Sequence, residues 1–129
     1  MTGACLDAWA VLAWLEGLEP AAGRVDEVLR SEAPIMSWIN LGEVLYVLAR
    51  RRTQAEALEV VASLRRRVRP ELPTEARVIQ AAELRGRHPV SYADAFAVGT
   101  AIAHGATLLT GDPEILAGPR EWPTEDLRS

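Results

Sequence analysis

The sequence predicts a single α/β domain in which helices cover both faces of a parallel sheet. The chain has 129 residues, a length typical of one domain with its own hydrophobic core. Short apolar runs alternate with longer segments of helical periodicity, and this alternation is typical of parallel sheets. No repeat, low-complexity tract or linker divides the chain, so we expect one domain that spans residues 1–129.

The N-terminal half contains two short apolar runs that we interpret as buried strands. Ala4 to Leu6 is the first strand, and Pro34 to Met36 is the second. Between and after these runs, apolar residues recur at helical spacing. The helices predicted in this half are Ala8 to Leu18, Ala21 to Ser31, Ser37 or Trp38 to Arg51, and Thr53 to Arg67.

The C-terminal half continues the alternation until proline residues interrupt it. Helices are predicted from Thr74 to Arg87 and from Ser91 to His104, and Thr107 to Leu109 is predicted to form a strand. Pro119, Pro123 and the charged residues around them do not suit a central strand, because proline cannot donate to the hydrogen-bond ladder. We expect this tail to supply an edge strand at most.

Cysteine usage and hydropathy indicate a cytoplasmic protein. The single Cys5 excludes an intrachain disulfide, and one cysteine with two histidines cannot provide the usual ligand set of a structural zinc site. The apolar stretch from Ala8 to Leu15 follows Asp7, has no basic residue before it, and is too short to span a bilayer. We therefore expect neither a signal peptide nor a membrane segment.

Arginine supplies all of the positive charge. The net charge of −4 argues against a protein that simply coats nucleic acid, since such domains are usually strongly basic. All 14 basic residues are arginine, and seven of them fall between positions 50 and 69. The guanidinium fork can bond two phosphate oxygens at once, so Arg50, Arg51 and Arg52 are candidates for substrate binding. Alternatively, they are the solvated ends of two helices.

Three aspartates occur where a strand gives way to a helix or where a helix begins. Asp7 directly follows the first strand, and Asp112 follows the last strand after a short turn. Asp94 lies three residues after Ser91, at the start of a helix whose small apolar face should pack on the sheet. Each of these positions also suits helix capping. However, the carboxyl ends of parallel strands are where ligands bind, so the three carboxylates are expected to converge.

Glu43 is less easily explained as a structural residue. Its predicted helix has apolar residues on both sides, including Leu41 and Leu45 on one and Val47 on the other. A buried carboxylate is costly unless a cation meets it, so Glu43 requires either an arginine partner or a metal ion. Asn40, one turn earlier, is a candidate to support it.

The segments around these acids resemble the four acidic motifs of PIN-domain ribonucleases in order and spacing, and the small size of the chain is similar to that of VapC-type toxins of toxin–antitoxin pairs. The four segments are Leu6 to Leu12, Asn40 to Tyr46, Ser91 to Ala95, and Leu108 to Asp112. The resemblance implies a three-layer α/β/α domain with a four- to five-stranded parallel sheet. It also implies an RNA substrate, a cognate antitoxin and a homodimer.

The resemblance also assigns roles to individual residues. It implies that Asp7 and Asp94 are the most direct ligands of Mg²⁺ or Mn²⁺. Glu43 and Asp112 would complete the cluster, often through water, and Thr110 matches the hydroxyl position that accompanies the last acid. Oxygen ligands favour Mg²⁺ or Mn²⁺ over zinc. We therefore expect a Mg²⁺-dependent endoribonuclease that leaves a 5′-phosphate.

Three other functions are compatible with parts of the sequence. A metal-free ribonuclease would use His88 and His104 as general acid and base. Aspartate-based phosphotransfer domains also place acids at strand ends, but their sites rely on a lysine, and this sequence has none. A PIN-like module that binds RNA or a protein without cutting it is the alternative from a different functional class.

Overall fold

The computed structural model describes residues 3–117 and 121–129, which form parallel strands enclosed by helices. The strands are β1 (Ala4–Leu6), β2 (Ile35–Ser37), β3 (Arg69–Glu71), β4 (Thr107–Thr110) and β5 (Thr124–Asp126). The helices are α1 (Ala8–Glu16), α2 (Ala21–Ser31), α3 (Trp38–Arg51), α4 (Gln54–Arg65), α5 (Glu75–Arg87), α6 (Tyr92–Ala103) and α7 (Pro113–Leu116). The strands form one five-stranded parallel sheet in the order β3-β2-β1-β4-β5, so β1 lies at its centre.

Alternate strand residues face two separate hydrophobic clusters, which makes the domain three-layered. Ala4, Leu6, Met36 and Leu109 belong to the cluster that includes residues of α1 to α4. Cys5, Ile35 and Leu108 belong to the cluster that includes residues of α5, α6 and α7. Because successive strand side chains point to opposite faces, both faces of the sheet are buried. The predicted α/β/α architecture is confirmed.

Most predicted elements are present with small shifts at their ends. The first helix was expected to reach Leu18 but ends at Glu16, because Gly17 adopts a left-handed conformation with φ of 68°. The second strand begins at Ile35 and extends to Ser37, one residue later than predicted. None of the helices in the described parts of the chain is long and apolar enough to cross a membrane.

Both edges of the sheet depart from what the hydrophobic pattern alone indicates. Strand β3 was not predicted, because it contains Pro70 and is only partly buried, as edge strands often are. At the other edge, the tail supplies β5, which pairs in parallel with β4. The expectation of an edge strand in the tail is therefore correct. Pro119, which entered that expectation, lies outside the described residues.

Candidate metal centre

Asp7 lies at the carboxyl end of the central strand and is 1% exposed. It caps α1, where its Oδ1 atom accepts a hydrogen bond from the Ala10 N–H at 2.8 Å. Its Oδ2 atom accepts a hydrogen bond from the hydroxyl of Thr110. Burial raises the pKa of Asp7 to about 7, the two hydrogen bonds oppose this, and the charges of Asp94 and Asp112 add to the increase. Asp7 therefore both caps α1 and belongs to the acidic cluster.

The turn after β4 connects Asp7 to Asp112 through Thr110. The Thr110 side chain is fully buried, and its hydroxyl accepts a hydrogen bond from the Asp112 N–H at 3.0 Å while donating to Asp7. Asp112 caps α7, and its Oδ1 atom accepts from the Glu114 N–H at 2.8 Å. One hydroxyl therefore fixes two acids relative to each other, so the geometry favours a positioning role for Thr110.

Asp94 lies in the first turn of α6, whose N-cap is Ser91, and it is 8% exposed. Burial raises the pKa of Asp94 to about 7, and the negative charge of Asp112 is the next largest cause. Carboxylate oxygens of Asp94, Asp112 and Glu114 lie within 4.8 Å of one another. Among the described residues, this is the set of three acids close enough to share one metal ion.

Glu43 reaches the cluster from α3. Burial raises its pKa, the hydrogen bond from Asn40 opposes the increase, and the charge of Asp112 adds to it. Asn40 is fully buried, and its amide nitrogen donates to Glu43 Oε1 at 2.9 Å and to the carbonyl of Ala93 at 3.1 Å. Since Ala93 precedes Asp94, Asn40 joins the two helices that carry these acids.

The acids lack cationic partners within the part of the chain that the structure describes. In residues 3–117 and 121–129, no arginine or histidine forms an ion pair with Asp7, Glu43, Asp94 or Asp112. The arginine partner considered for Glu43 is thus not found among the described residues. Negative charges that raise one another's pKa need a cation, and an all-oxygen donor set suits Mg²⁺ or Mn²⁺. The residues present therefore fit a hard divalent metal ion.

The structure places the four predicted acids close enough to interact electrostatically, with Asp94 and Asp112 in the set of three that could share one metal ion, and it adds a fifth acid, Glu114. Asp7, which was expected to be a direct ligand, lies outside that set of three. Glu114 is exposed and lies one helical turn beyond the strand end, so its sequence context resembles that of any solvated glutamate. In the sequence, only its position two residues after Asp112 connected Glu114 with the site. Asp112, which the sequence predicted both as a helix cap and as a member of the cluster, belongs to the set of three acids whose oxygens lie within 4.8 Å of one another.

The candidate substrate-binding arginines lie away from this cluster, at the end of α3. Arg51 forms an ion pair with Glu16, and the guanidinium of Arg50 lies 5.2 Å from the ring centroid of Tyr46. Arg52 is exposed and caps α3. None of the three forms an ion pair with Asp7, Glu43, Asp94 or Asp112 in the described residues, and their substrate-binding role stays a prediction.

The two histidines have unrelated surroundings. His104 pairs with Glu71 at the end of β3. His88 packs edge-on against Trp122, with ring centroids 5.0 Å apart. General acid–base catalysis by two histidines requires both rings to face one reacting group. These separate contacts give no geometric support to a two-histidine site.

Trp9 packs directly against the turn that carries Thr110 and Asp112. A Cβ atom added to Gly111 would lie 2.3–2.4 Å from three atoms of the Trp9 ring, closer than atoms can approach. The absence of a side chain at Gly111 therefore lets the half-buried indole cover the turn next to the acids.

Replacing Gly111 with alanine is expected to destabilise the protein by about 1–3 kcal/mol, because the new methyl group overpacks against Trp9. Urea unfolding measures the change. The matched control is Gly86→Ala, since an added Cβ at Gly86 meets nothing within 4 Å and alanine is the better helix former. If the loss comes from the indole, Trp9→Ala should remove most of it in the double variant. A Gly111→Ala protein as stable as the wild type would contradict this interpretation.

A family model and several solved structures indicate the same fold for this chain. The family model of the PIN domain matches residues 4–119. A chain of the VapBC2 complex from Rickettsia felis, solved bound to a promoter DNA fragment, is 17% identical over 98% of both chains, with a TM-score of 0.74. For DNA-bound VapBC from Salmonella typhimurium the identity is 21%, the coverage 98% and 99%, and the TM-score 0.74.

VapC20 from Mycobacterium tuberculosis, a toxin that cleaves the sarcin–ricin loop, is also similar in structure. It is 23% identical to this chain and gives a TM-score of 0.72, with 89% of this chain and 94% of VapC20 covered. No curated protein sequence matches the chain significantly. At these identities, the similarities describe the fold.

Proposed function

Since the chain belongs to the PIN-domain family, we propose that it is a Mg²⁺-dependent endoribonuclease and the toxin of a toxin–antitoxin pair. The observation that carries the proposal is the convergence of Asp7, Glu43, Asp94 and Asp112 without a neutralising cation among the described residues. Carboxylates that served only as helix caps would not need to lie close enough to raise one another's pKa values.

The structural neighbours support the toxin assignment. Chains of two solved VapBC complexes have this fold over nearly their whole length, and VapC20 is a toxin that cleaves the sarcin–ricin loop. We therefore propose a cognate antitoxin as the protein partner and RNA as the substrate. We also propose a homodimer, which follows from the family resemblance, and a cytoplasmic location, which the single cysteine favours.

In the proposed mechanism, the carboxylates of the cluster form a preorganised binding site for Mg²⁺. Asp94, Asp112 and Glu114 would hold the ion, and Asp7 and Glu43 would complete its surroundings. The chemistry that Mg²⁺ would supply at this position is activation of a water and compensation of the charge on the scissile phosphate. Thr110 holds the Asp7 carboxylate, and Asn40 holds that of Glu43, so neither acid has to be reoriented when the substrate arrives.

The same carboxylates would oppose RNA binding when no metal is present. Burial raises the pKa values of Asp7, Asp94 and Glu43, the neighbouring negative charges add to the increase, and a phosphodiester would bring a further negative charge. Arg50, Arg51 and Arg52 lie further along α3 and are proposed to contact phosphates flanking the cleavage position.

Incubation of the purified protein with a panel of RNAs, including one that contains the sarcin–ricin loop, tests the proposal. We expect cleavage of at least one RNA in Mg²⁺, with 5′-phosphate ends on the downstream products. A protein that binds RNA but cuts none of the panel would instead be a non-catalytic binding module. Products that carry a 2′,3′-cyclic phosphate would contradict attack by an activated water.

A further inference from the structure

One exposed strip of α3 borders the acidic cluster without belonging to it. The buried face of this helix is formed by Asn40, Leu41, Val44 and Leu48. Gly42, Tyr46 and Arg50 follow one another at four-residue intervals on the opposite, solvent-facing side. They extend over roughly 12 Å of the helix, given a rise of about 1.5 Å per residue. Glu43 follows Gly42 at one end of the strip, so the strip runs from the acidic cluster toward the C-terminal end of α3.

Tyr46 presents an open aromatic surface on this strip. It is 50% exposed, and among the large exposed apolar side chains of the described residues it is the one on the helix that carries Glu43. The Arg50 guanidinium lies 5.2 Å from its ring centroid, which is a cation–π arrangement. No carboxylate in the described parts of the chain forms an ion pair with Arg50, in contrast to its neighbour Arg51. The guanidinium is therefore free to bind a phosphate.

Gly42 has no packing explanation. Glycine in the interior of a helix costs roughly 1 kcal/mol relative to alanine, so helix propensity does not favour it here. An added Cβ at Gly42 would meet nothing within 4 Å, so the fold does not exclude a larger side chain. What the glycine provides is a flat stretch of exposed helix between Glu43 and Tyr46.

We propose that Gly42, Tyr46 and Arg50 bind the single-stranded RNA that flanks the scissile phosphate, with an unpaired base stacked on Tyr46 and a phosphate bound by Arg50. This inference rests on the proposed ribonuclease function and names the form of RNA that the site takes. Stacking on an aromatic ring requires a splayed base, which single strands and loops offer and duplexes do not. An acidic peptide could pair with Arg50, but it fits less well because it offers no planar base to stack on the exposed Tyr46 ring.

Kinetics on a fluorescent single-stranded RNA that the wild type cleaves, compared with its duplex form, test the proposal. Tyr46→Ala is expected to raise KM by roughly 5- to 150-fold on the single strand with little change in kcat, since the loss of one stacked base weakens binding by that factor. Tyr46→Phe, which keeps the ring, should recover most of the loss. Leu58→Ala is the matched control, because Leu58 is equally exposed but lies on α4.

Two further variants separate the roles of the strip. Gly42→Leu should raise KM, whereas Gly86→Leu should not, although an added Cβ meets open space at both positions. Both proteins should keep or raise the melting temperature, because leucine is a better helix former than glycine. Arg50→Gln should reduce the slope of log KM against log salt by about 0.7, the value for one phosphate contact to a single strand.

These measurements distinguish a strip that does not bind RNA from a protein that is not a ribonuclease. If the wild type cleaves RNA while Tyr46→Ala and Gly42→Leu leave KM unchanged, the strip does not bind RNA, and the ribonuclease proposal stands. In that case, a loss of partner-protein binding by Tyr46→Ala would assign the strip to a protein. If the wild type cleaves no RNA, both proposals are overturned.

Discussion

Replacing Asp94 with asparagine is expected to lower the rate of RNA cleavage by at least about a hundredfold. Residues that only orient metal ligands typically contribute 10- to 100-fold to activity, and a direct ligand contributes more. Asp94 is 8% exposed and shares the tightest group of carboxylates with Asp112 and Glu114. Removal of its charge therefore removes both a ligand and part of the field that attracts the metal ion.

The same substitution should preserve the fold and stabilise the metal-free protein at neutral pH. Burial and the charge of Asp112 disfavour the ionised Asp94 carboxylate, so a neutral amide relieves repulsion in the absence of metal. Circular dichroism and urea unfolding in EDTA measure this effect, and Glu83→Gln, an exposed acid on α5, is the control. A protein that is less stable than the wild type in EDTA, or that keeps more than a tenth of the activity, would contradict the assigned role.

The affinity for Mg²⁺ is expected to fall steeply below about pH 7. Burial raises the pKa values of both Asp7 and Asp94 to about 7, and an ion binds their ionised forms. When two carboxyl groups must each lose a proton, the apparent affinity falls by up to about a hundredfold per pH unit below that pKa. Above about pH 8 the affinity should level off.

The stability of the metal-free protein should change with pH in the opposite direction. Because the folded-state pKa values exceed the usual 3.8, folding favours the protonated forms of these groups. Their contribution to stability is complete below about pH 4 and is lost as the pH rises through about 7. Melting temperatures with EDTA and with Mg²⁺, measured between pH 5 and 8.5, give both dependences. An increase in melting temperature on Mg²⁺ addition that is equal at pH 5.5 and pH 8 would contradict the prediction.

The central strands and the helices packed on them could be predicted because their residues are patterned by burial. Strand β1 was predicted with its observed ends, and β4 was predicted to within one residue. Strand β3 could not be, because an edge strand that contains Pro70 is only partly buried and carries little hydrophobic signal. Helix α7 has only four residues, too few to establish a periodicity.

The sequence indicated four members of the acidic cluster, but neither the fifth member, Glu114, nor the arrangement of the carboxylates. Strand ends and a helix start gave Asp7, Asp112 and Asp94, since a parallel sheet brings such positions to one edge. The sequence could not indicate which of the acids approach most closely, because that depends on the direction in which each helix leaves the sheet. Glu114 was missed for this reason, although its carboxylate lies within 4.8 Å of those of Asp94 and Asp112.

The contacts of the arginine-rich segment could not be predicted from the sequence either. Seven arginines between positions 50 and 69 indicated a phosphate-binding surface. In the structure, Arg65 and Arg67 lie over the rings of Trp38 and Trp14, and Arg51 pairs with Glu16. Contacts of this kind join residues that are distant in the sequence, so they are not encoded in the local pattern. Arg50 differs in lying beside an exposed ring on the helix that carries Glu43.

The central claim is that the converging carboxylates form a metal site that cleaves RNA. Cleavage of one RNA, measured without added metal in EDTA and again after Mg²⁺ is restored in excess, tests it most directly. Under the proposed function, we expect EDTA to abolish cleavage and Mg²⁺ to restore it in the wild type but not in Asp94→Asn. Cleavage that continues at an undiminished rate in EDTA would contradict the claim.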